Sequence, residues 1–551
     1  MIRNITILAF ATFSFSLSAQ ISTGGKPYGL RTGLDLKEVP TIHAGPFDAL
    51  AVAAEDAARE AAGLIPAYSR LLPVNAGPGD AGLWTDLPNG DRIWRLRVIS
   101  DGALATELYF TDFLMPDNAS LYVYGEDGAQ VIGGFTAFNN SDDGRFATSL
   151  IPGEACIVEY HEPAAVVGLG HLYVASIGHA YRNVEDFMDA SGPCQVDVNC
   201  SEGSAWTEQR DAAVRIGIVD SGLGYWCSGA LVNNVAQDCK PYFLTAQHCG
   251  DGTSASDFNQ WKFYFNYERS GCGSGGSTSS HVVVGCTKRG SSNDGGGDSG
   301  SDFLLLEANN AVIPTSYHPY WAGWDATGTG SSGGVCIHHP SGDRKKISTF
   351  NGNTSSMSWG GVPNTHWRVY WSATANGYGV TEGGSSGSPL FNSSHRIIGT
   401  LTGGGSSCTN TNYPDYFGKV SYHWQSNPGP ASTRLKAWLD PQSTGTLTLN
   451  GSYDPCGASI GINELSNTVQ RLEVFPNPTT DEALINIPQI ARHYGSLEVH
   501  DMGGRLVASV AVGSATSHRL DTTTLDGGAY VLRLVAEEKV IGTAPLIVVR
   551  P

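Results

Sequence analysis

The sequence predicts an all-β protein built from several folded units. Three observations lead to this prediction: a length of 551 residues, 69 glycines and a charged fraction of only 15%. A chain of this length exceeds what one hydrophobic core usually serves, so we expect three or four units. Abundant glycine together with few charged residues is typical of turn-rich β structure. An all-β body is therefore the expectation.

The first residues of the chain predict export. Residues 1–19 contain Arg3, an apolar run from Ile5 to Phe15 and small residues before Gln20, which is the pattern of a cleaved signal peptide. Elsewhere, charges interrupt the apolar stretches well before the roughly 20 residues that a membrane helix needs. We therefore predict a protein without a transmembrane segment that is secreted or attached to the outer cell surface.

The net charge argues against one class of partner. The formal charge is −19, and the chain has only 33 lysines and arginines. Binding to phosphates requires clustered Lys and Arg side chains. We therefore exclude nucleic acid and expect a peptide or protein partner.

Residues 20–190 predict a β-rich N-terminal unit. The sequence contains one helix-like stretch, followed by segments in which apolar and polar residues alternate as they do in strands. The unit contains no convincing cluster of catalytic residues. The helix-like stretch is 48–64, and the predicted strands include 92–99, 105–113 and 120–124.

Two further units and a linker follow. Residues 191–457 are rich in Gly, Ser, Trp and Cys, with short apolar strands between glycine-rich loops, as small antiparallel barrels require. Residues 458–470 form the linker. Residues 471–551 return to short strands, which predict a small β-sandwich.

The unit 191–457 contains a candidate general base and a candidate nucleophile. An apolar strand leads into His248 and Cys249, which places an imidazole at a strand end. Glycines surround Ser386 in the sequence GGSSGSPL, so the backbone can turn tightly and expose the hydroxyl. Attack by serine on an amide needs such a base, and it needs donors for the oxyanion, which the amides of Gly384 and Ser386 would supply. Taken alone, each feature has a simpler explanation: a single histidine is more often a polar structural residue, and a sequence rich in glycine and serine is usually just a loop.

The third catalytic group must be a carboxylate that orients the base. Asp302 directly precedes an apolar strand and is our choice. Asp294 and Asp298 lie in glycine-rich sequence and fit a solvated loop, with a calcium site as the alternative. His338 and His339 could suggest a metal, but adjacent imidazoles point in different directions along a strand and no third ligand is evident. We predict neither a metal nor a cofactor.

Six motifs of this unit resemble the bacterial lysyl endopeptidases. The resemblance covers about residues 194–440 and implies a chymotrypsin-like double β-barrel. It places the catalytic triad on His248, Asp302 and Ser386, the residues chosen above from their chemistry. The motifs are CSGALVNN at 227–234, TAQHC at 245–249, SDFLLLE at 301–307, WAGWD at 321–325, IHHP at 337–340 and GSSGSP at 384–389.

The same resemblance implies a pocket for lysine. Asp415, in the sequence PDYFGK, matches the aspartate with which the family selects lysine, so its carboxylate would pair with the substrate ammonium. A buried carboxylate without a partner is costly, so neutral side chains would be rejected; a solvated turn aspartate is the alternative. Trp359 matches a tryptophan near the active-site imidazole. Thr402 stands where the best-known members of the family have a histidine that stacks on this tryptophan. The replacement bears on the pH optimum, on catalytic efficiency and on how strictly the enzyme prefers lysine to arginine.

Eleven cysteines in an exported chain indicate a disulfide framework. Because their number is odd, one thiol stays free, pairs between chains or leaves with a processed segment; Cys156 and Cys456 are the candidates. Cys239 has no obvious partner. The family resemblance implies three bridges, and we add one between two cysteines without a family counterpart. The bridges are Cys194–Cys408, Cys200–Cys272 and Cys227–Cys249, and the added one is Cys286–Cys336.

The C-terminal unit resembles the sorting domain of the type IX secretion system. The resemblance rests on VFPNPT at 474–479, LEVHDMGGR at 497–505 and LDGGAYVLR at 525–533. It implies export across an outer membrane with the type IX machinery as a partner. A small immunoglobulin-like adhesion module is the alternative.

These features together predict a secreted serine endopeptidase that cuts proteins or peptides after lysine. The alternatives are broader Lys/Arg cleavage and, from another class, a surface-binding protein that uses an inactive protease scaffold. The unit 20–190 would then be a propeptide, either a folding chaperone or an inhibitor. No lysine directly precedes Cys194, so removal of the propeptide requires another protease or a cut after Arg182.

Overall fold

The computed structural model of the chain forms two compact units, 1–458 and 459–551. The predicted signal peptide and most of the predicted linker lie outside the described residues. The structure describes residues 24–34, 38–61, 65–182, 191–276, 281–309, 313–457, 470–472, 474–486, 495–501, 505–512, 517–536 and 539–550.

Strands dominate the described residues, which confirms the predicted all-β class. The α-helices are short, and none that the structure describes is long and apolar enough to cross a membrane. Their bounds are α1 Tyr28–Thr32, α2 Ala49–Ala61, α3 Thr207–Ala212, α4 Ala255–Phe258, α5 Val420–Gln425 and α6 Leu435–Leu439.

Residues 24–182, here called the N-terminal region, contain eleven strands. Six of them (β1, β3, β4, β6, β7 and β10) form one sheet, and the others join a larger sheet described below. Apolar side chains from both sheets share a core that includes Trp94, Phe110 and Val158. The strands are β1 Thr41–His43, β2 Ala67–Ala76, β3 Leu83–Asp86, β4 Arg92–Ile99, β5 Ala105–Leu114, β6 Ser120–Gly125, β7 Val131–Phe135, β8 Phe146–Ala147, β9 Ile151–Pro152, β10 Ala155–Glu162 and β11 His171–Ala180.

Residues 191–457, here called the central region, contribute the next sixteen strands. Strands β12 to β18 continue the larger sheet, and β19 to β27 form a nine-stranded sheet. Closure of either sheet into a barrel stays a prediction. The strands are β12 Ala213–Asp220, β13 Leu223–Val232, β14 Tyr242–Thr245, β15 Lys262–Tyr264, β16 Val282–Val284, β17 Cys286–Ser291, β18 Leu304–Ala308, β19 Trp324–Asp325, β20 Gly334–His338, β21 Lys346–Phe350, β22 Ser355–Met357, β23 His366–Val369, β24 Pro389–Asn392, β25 Ile397–Gly404, β26 Asp415–Lys419 and β27 Thr448–Leu449.

The larger sheet runs through both regions without a break. It has twelve strands, because β2 of the N-terminal region pairs with β13 of the central region. This continuity was not evident from the sequence, where the two regions differ in composition.

The C-terminal unit consists of two sheets that enclose one apolar core, as expected of a small β-sandwich. Five strands (β28, β31, β32, β34 and β35) form one sheet, and β29, β30 and β33 form the other. The strands are β28 Gln470–Arg471, β29 Val474–Phe475, β30 Glu482–Asn486, β31 Gly495–Asp501, β32 Leu506–Ala511, β33 Ser517–Asp521, β34 Gly528–Ala536 and β35 Lys539–Val548.

The structure contains the three bridges that the family resemblance implies and corrects the fourth. Cys239 bonds to Cys456, so neither is unpaired. The predicted Cys286–Cys336 bridge is wrong, because these residues are free thiols buried in different cores. Cys156 is the third free thiol, and burial raises its pKa to about 12. The three bridges are Cys194–Cys408, Cys200–Cys272 and Cys227–Cys249.

We predict that alkylation of the denatured, unreduced chain modifies only Cys156, Cys286 and Cys336. These thiols become accessible on unfolding, whereas bonded cysteines do not react. Peptide mass spectrometry would locate the label, and a reduced sample would be the control. A linked peptide containing Cys286 and Cys336 would contradict the assignment.

Candidate active site

Strand pairing brings His248 and Asp302 together. Strands β14 and β18 pair with Thr245 opposite Leu304, so the turn after β14 lies beside the residues that enter β18. His248 is on that turn, and Asp302 precedes the strand with a positive φ of 55°. The Asp302 carboxylate accepts a hydrogen bond from the His248 backbone amide at 2.9 Å, and its other oxygen is 2.7 Å from His248 Nδ1. The bond at Nδ1 directs Nε2 away from Asp302.

The two groups shift each other's pKa in opposite directions. Burial lowers the pKa of His248, but the adjacent charge of Asp302 and its hydrogen bond outweigh burial and raise it above the usual 6.5. Burial favours the protonated form of Asp302, yet the charge of His248 and its hydrogen bonds hold the pKa of Asp302 below its usual value. A hydrogen bond from Thr402 acts in the same direction. Asp302 is therefore an ionised, fully buried carboxylate that orients a basic imidazole.

Ser386 lies on a tight loop between β23 and β24. Its carbonyl accepts a hydrogen bond from the Ser228 amide at 2.8 Å, which anchors the loop to β13. Gly387 has a φ of 79°, and a side chain there would come within 2.6 Å of the Ser228 carbonyl, so glycine is required. Gly384 has a φ of 90°, and a Cβ built on it would be 3.0 Å from the His339 carbonyl. Within the described residues, neither the Gly384 amide nor the Ser386 amide donates a hydrogen bond.

Ser386 and His248 line the same cleft of about 900 Å³. No hydrogen bond joins the Ser386 hydroxyl to His248 in the described part of the chain. Catalytic hydrogen bonds often become short only when substrate binds. The arrangement therefore places a serine hydroxyl and an imidazole in one cavity.

Asp415 is buried behind one wall of this cleft. Its carboxylate accepts hydrogen bonds from Trp371 Nε1 at 2.6 Å, Thr381 Oγ1 at 2.7 Å and Ser406 Oγ at 2.6 Å. Thr381 and Ser406 themselves line the cleft. Burial raises the pKa of Asp415, and these hydrogen bonds oppose the rise. The carboxylate therefore has hydrogen-bond donors even when no ligand is bound. The sequence argument treated it as an unpaired group and did not predict these donors.

Trp359 and Thr402 also line the cleft. Beside Thr402 lies a histidine, His366, that the sequence argument missed. His366 is buried, and its Nε2 is 2.9 Å from Thr402 Oγ1. The rings of Trp359 and His366 have centroids 6.2 Å apart, and Trp359 is 41% exposed. Burial lowers the pKa of His366 to about 4, so this imidazole is neutral near pH 7. A histidine within a short strand carries no sequence signal of its own.

His338 contacts the loop that carries Ser386. Its Nδ1 is 2.7 Å from the hydroxyl of Ser385, the residue before Ser386, and its Nε2 is 3.0 Å from Ser348. Burial and the charge of Lys346 lower the pKa of His338 to about 3, so it stays neutral. The structure gives this histidine a packing and hydrogen-bonding role.

Asp294 belongs to the same polar network. Its Oδ2 accepts a hydrogen bond from the Asp302 backbone amide at 2.8 Å, and its Oδ1 accepts one from the Ser292 hydroxyl at 2.8 Å. The side chain is buried, unlike the solvated loop residue that the sequence suggested. Asp294 therefore holds the backbone of Asp302 in its positive-φ conformation.

Two regions of the chain match known families. Residues 188–418 match the family described as lysyl endopeptidase, C-terminal domain, and residues 473–548 match the secretion system C-terminal sorting domain. A lysyl endopeptidase of Pseudomonas aeruginosa is 29% identical over 362 residues, which are 61% of this chain and 75% of that protein.

Similarity to solved structures is low. Protease Anisep from Arthrobacter nicotinovorans is 17% identical with a TM-score of 0.28, covering 38% of this chain and 90% of that one. A thermostable serine protease from an extremophilic microorganism is 13% identical with a TM-score of 0.28, covering 38% of this chain and 92% of that one. A likeness of this size adds nothing to the assignment.

The sequence matches define the class of protein. The chain is a serine endopeptidase. It resembles the bacterial lysyl endopeptidases, and it carries a C-terminal secretion sorting domain, which indicates export. Both resemblances predicted from the motifs are confirmed.

We predict that reaction of the processed protein with a fluorophosphonate slows as the pH falls through a pKa above 6.5. The raised pKa of His248 means that its imidazole is protonated, and cannot accept a proton, already at mildly acidic pH. Labelling rates measured across pH would give this midpoint, because the reagent needs no lysine pocket.

Asp302→Asn is the matched variant for this measurement. It removes the negative charge that raises the pKa of His248, so the midpoint should move to lower pH while the plateau rate falls by about 10⁴. A midpoint that is identical in the two proteins would contradict the assigned pair.

Proposed function

We propose that this protein hydrolyses peptide bonds on the carboxyl side of lysine through an acyl-enzyme. The observation that carries the proposal is the hydrogen-bonded pair of Asp302 and His248 in a cleft that also contains Ser386. The buried carboxylate of Asp415 behind the wall of that cleft supports the choice of lysine.

The chemistry follows from the roles of these groups. Ser386 Oγ attacks the carbonyl carbon while His248 Nε2 accepts the hydroxyl proton. His248 then donates this proton to the departing amine, which leaves an ester on Ser386. A water molecule repeats the sequence: its proton goes to His248, its oxygen attacks the ester, and the proton returns to Ser386.

The free amides of Gly384 and Ser386 would stabilise the oxyanion of each tetrahedral intermediate. They are donors that the fold leaves without a partner in the described residues. A single donor of this kind contributes about 3 kcal/mol in comparable enzymes. Donors already held in place reorganise little when the charge develops.

Asp415 would select lysine through the charge of the substrate side chain. An ammonium entering between Thr381 and Ser406 would approach a carboxylate that has donors but no cation. A neutral side chain gains no such attraction, and the longer, planar guanidinium of arginine has different geometric needs. The alternative is cleavage after both lysine and arginine, and a map of the bonds that the enzyme cuts distinguishes the two.

Export would use both ends of the chain. A signal peptide at 1–19 would direct the first step, and the type IX machinery would recognise the C-terminal unit 471–551. The product would be secreted or attached to the outer cell surface. The unit 20–190 would be removed as a propeptide, which leaves 191–457 as the enzyme and 458–470 as the linker.

Ser386→Ala should abolish fluorophosphonate labelling and lower peptide hydrolysis by at least about 10⁴, because it removes the nucleophile. Labelling and hydrolysis would be measured on processed protein, with Ser393→Ala, a serine outside the cleft, as the control. A folded parent protein that neither labels nor hydrolyses peptides would favour a binding protein on an inactive scaffold.

Asp415→Ser should lower kcat/KM for lysyl substrates by about 100-fold or more, since it removes the charge partner of the ammonium. Mass spectrometry of a digested denatured protein mixture would map every cut bond. Asp325→Ser is the control, because Asp325 does not line the cleft and its carboxylate accepts hydrogen bonds only from Thr327 in the described residues. Abundant cuts after arginine by the parent, or an unchanged preference in Asp415→Ser, would contradict lysine selection by this residue.

A further inference from the structure

A hairpin of the central region forms one end of the cleft. Strands β12 and β13 are joined by a two-residue turn, and Asp220 lies opposite Leu223 across it. Both residues of the turn have the positive φ values that such hairpins need. Asp220, Leu223 and Tyr225 line the cleft that also contains His248 and Ser386. The paired strands therefore present a carboxylate, an apolar side chain and an aromatic ring to the cleft.

This end of the cleft lies beside His248. Tyr225 is two residues before Cys227 on β13, and Cys227 is bonded to Cys249, the neighbour of His248. In the proposed reaction, His248 donates its proton to the departing amine. This amine belongs to the part of the substrate that follows the scissile bond, so that part leaves past His248. The hairpin therefore faces substrate residues after the scissile bond, whereas Asp415 faces the residue before it.

The charges along the cleft favour a cation. Among the described residues of the central region that line it, the charged side chains other than His248 are all acidic: Asp220, Asp251 and Glu382. Asp251 and Glu382 accept hydrogen bonds from groups outside the cleft. In the described part of the chain, Asp220 accepts only one, from the Ser221 hydroxyl at 3.3 Å. The Asp220 carboxylate can therefore accept further hydrogen bonds from a ligand.

A guanidinium already lies against this hairpin. Arg59 is on α2 of the N-terminal region, and it is the only lysine or arginine among the described residues that line the cleft. Its Cζ is 5.1 Å from the centroid of the Tyr225 ring, which is within the range of a cation–π interaction. Arg59 Nε is buried, and no described residue accepts a hydrogen bond from it. Burial raises the pKa of Asp220, and the hydrogen bond from Ser221 and the charge of Arg59 oppose this rise.

Arginine suits this end of the cleft better than lysine. A planar guanidinium stacks on an aromatic face and is more weakly hydrated than an ammonium. The methylene groups of an arginine side chain pack on apolar surface, which Leu223 offers here. The Asp415 side differs, because the hydroxyls of Thr381 and Ser406 approach its carboxylate. The two ends of the cleft are therefore suited to different cations.

We propose that the hairpin is a subsite for an arginine side chain that follows the scissile bond by one or two residues. The guanidinium of the substrate takes the place of Arg59 over the Tyr225 ring and approaches the Asp220 carboxylate. This inference rests on the proposed function, because it concerns the substrate of that reaction after removal of the unit 20–190. The preferred substrates are then peptides with lysine before the scissile bond and arginine shortly after it.

A matched set of lysyl peptides tests the subsite in the processed protein. The peptides differ only at the first or second residue after the scissile bond, which is arginine, alanine or glutamate. At one of these positions, kcat/KM should be about 10-fold higher for arginine than for alanine, and lower again for glutamate, whose carboxylate approaches Asp220. Mass spectrometry of the products would count only cuts after lysine. Equal values for arginine and alanine at both positions, or faster cutting of a glutamate peptide, would overturn the subsite.

Asp220→Asn should reduce the ratio of kcat/KM between the arginine and alanine peptides about threefold or more, because it removes the negative charge but keeps the size. Tyr225→Leu should also lower this ratio, because it removes the aromatic face. Asp325→Asn is the control, since Asp325 lies outside the cleft, and it should keep the parent ratio. If Tyr225→Leu does not fold, Asp220→Asn decides, because Asp220 is only partly buried. The parent ratio in Asp220→Asn would overturn the assigned contacts.

Binding without hydrolysis separates this inference from the proposed function. In processed Ser386→Ala protein, the intact arginine peptide should bind with a dissociation constant about 10-fold lower than that of the alanine peptide. Calorimetry would measure both constants, and equal constants would overturn the subsite. Because this measurement requires no catalysis, it decides the subsite even if the parent protein cuts no peptide. A parent that prefers the arginine peptide in binding but hydrolyses neither would contradict the proposed function alone.

Discussion

The geometry of the active site depends on the pairing of β14 with β18. This register places His248 and Asp302 at the same end of two neighbouring strands. A fully buried carboxylate is costly unless donors surround it. Asp302 accepts both a backbone and a side-chain hydrogen bond from His248, and its own backbone is held by Asp294. The same bonds that make burial of Asp302 tolerable therefore also fix the orientation of the imidazole.

Ser386 is held by a second set of contacts. The loop of Ser386 contacts β13 through Ser228, whose hydroxyl also bonds to the Gly384 carbonyl at 2.9 Å. Gly387 permits this close approach, Gly384 permits a close approach to His339, and His338 is within hydrogen-bond distance of Ser385. Because β13 pairs with β14, the loop and the His248 turn share one support. His248 and Ser386 are thus positioned by one sheet, although the Ser386 loop leads into β24 of the other.

Local sequence signals predicted the strands and the candidate residues, whereas long-range contacts were beyond their reach. The all-β class and the strand Arg92–Ile99 followed from composition and alternation. His248, Asp302 and Ser386 stand in motifs whose neighbours carry the signal. The role of His366 depends on a contact with Thr402, 36 residues away, and the Cys239–Cys456 bridge spans 217 residues. Such pairs depend on tertiary packing, which a pattern of neighbouring residues does not contain.

The junction between the N-terminal and central regions combines apolar packing with one buried ion pair. Tyr68 of the N-terminal region and Trp226 of the central region belong to one apolar core. Lys262 and Glu107 lie in the same junction, and both side chains are fully buried. Burial lowers the pKa of Lys262, and the charge and hydrogen bond of Glu107 oppose that shift. Because loss of one partner would leave the other as an unpaired buried charge, the two regions depend on each other for more than apolar packing.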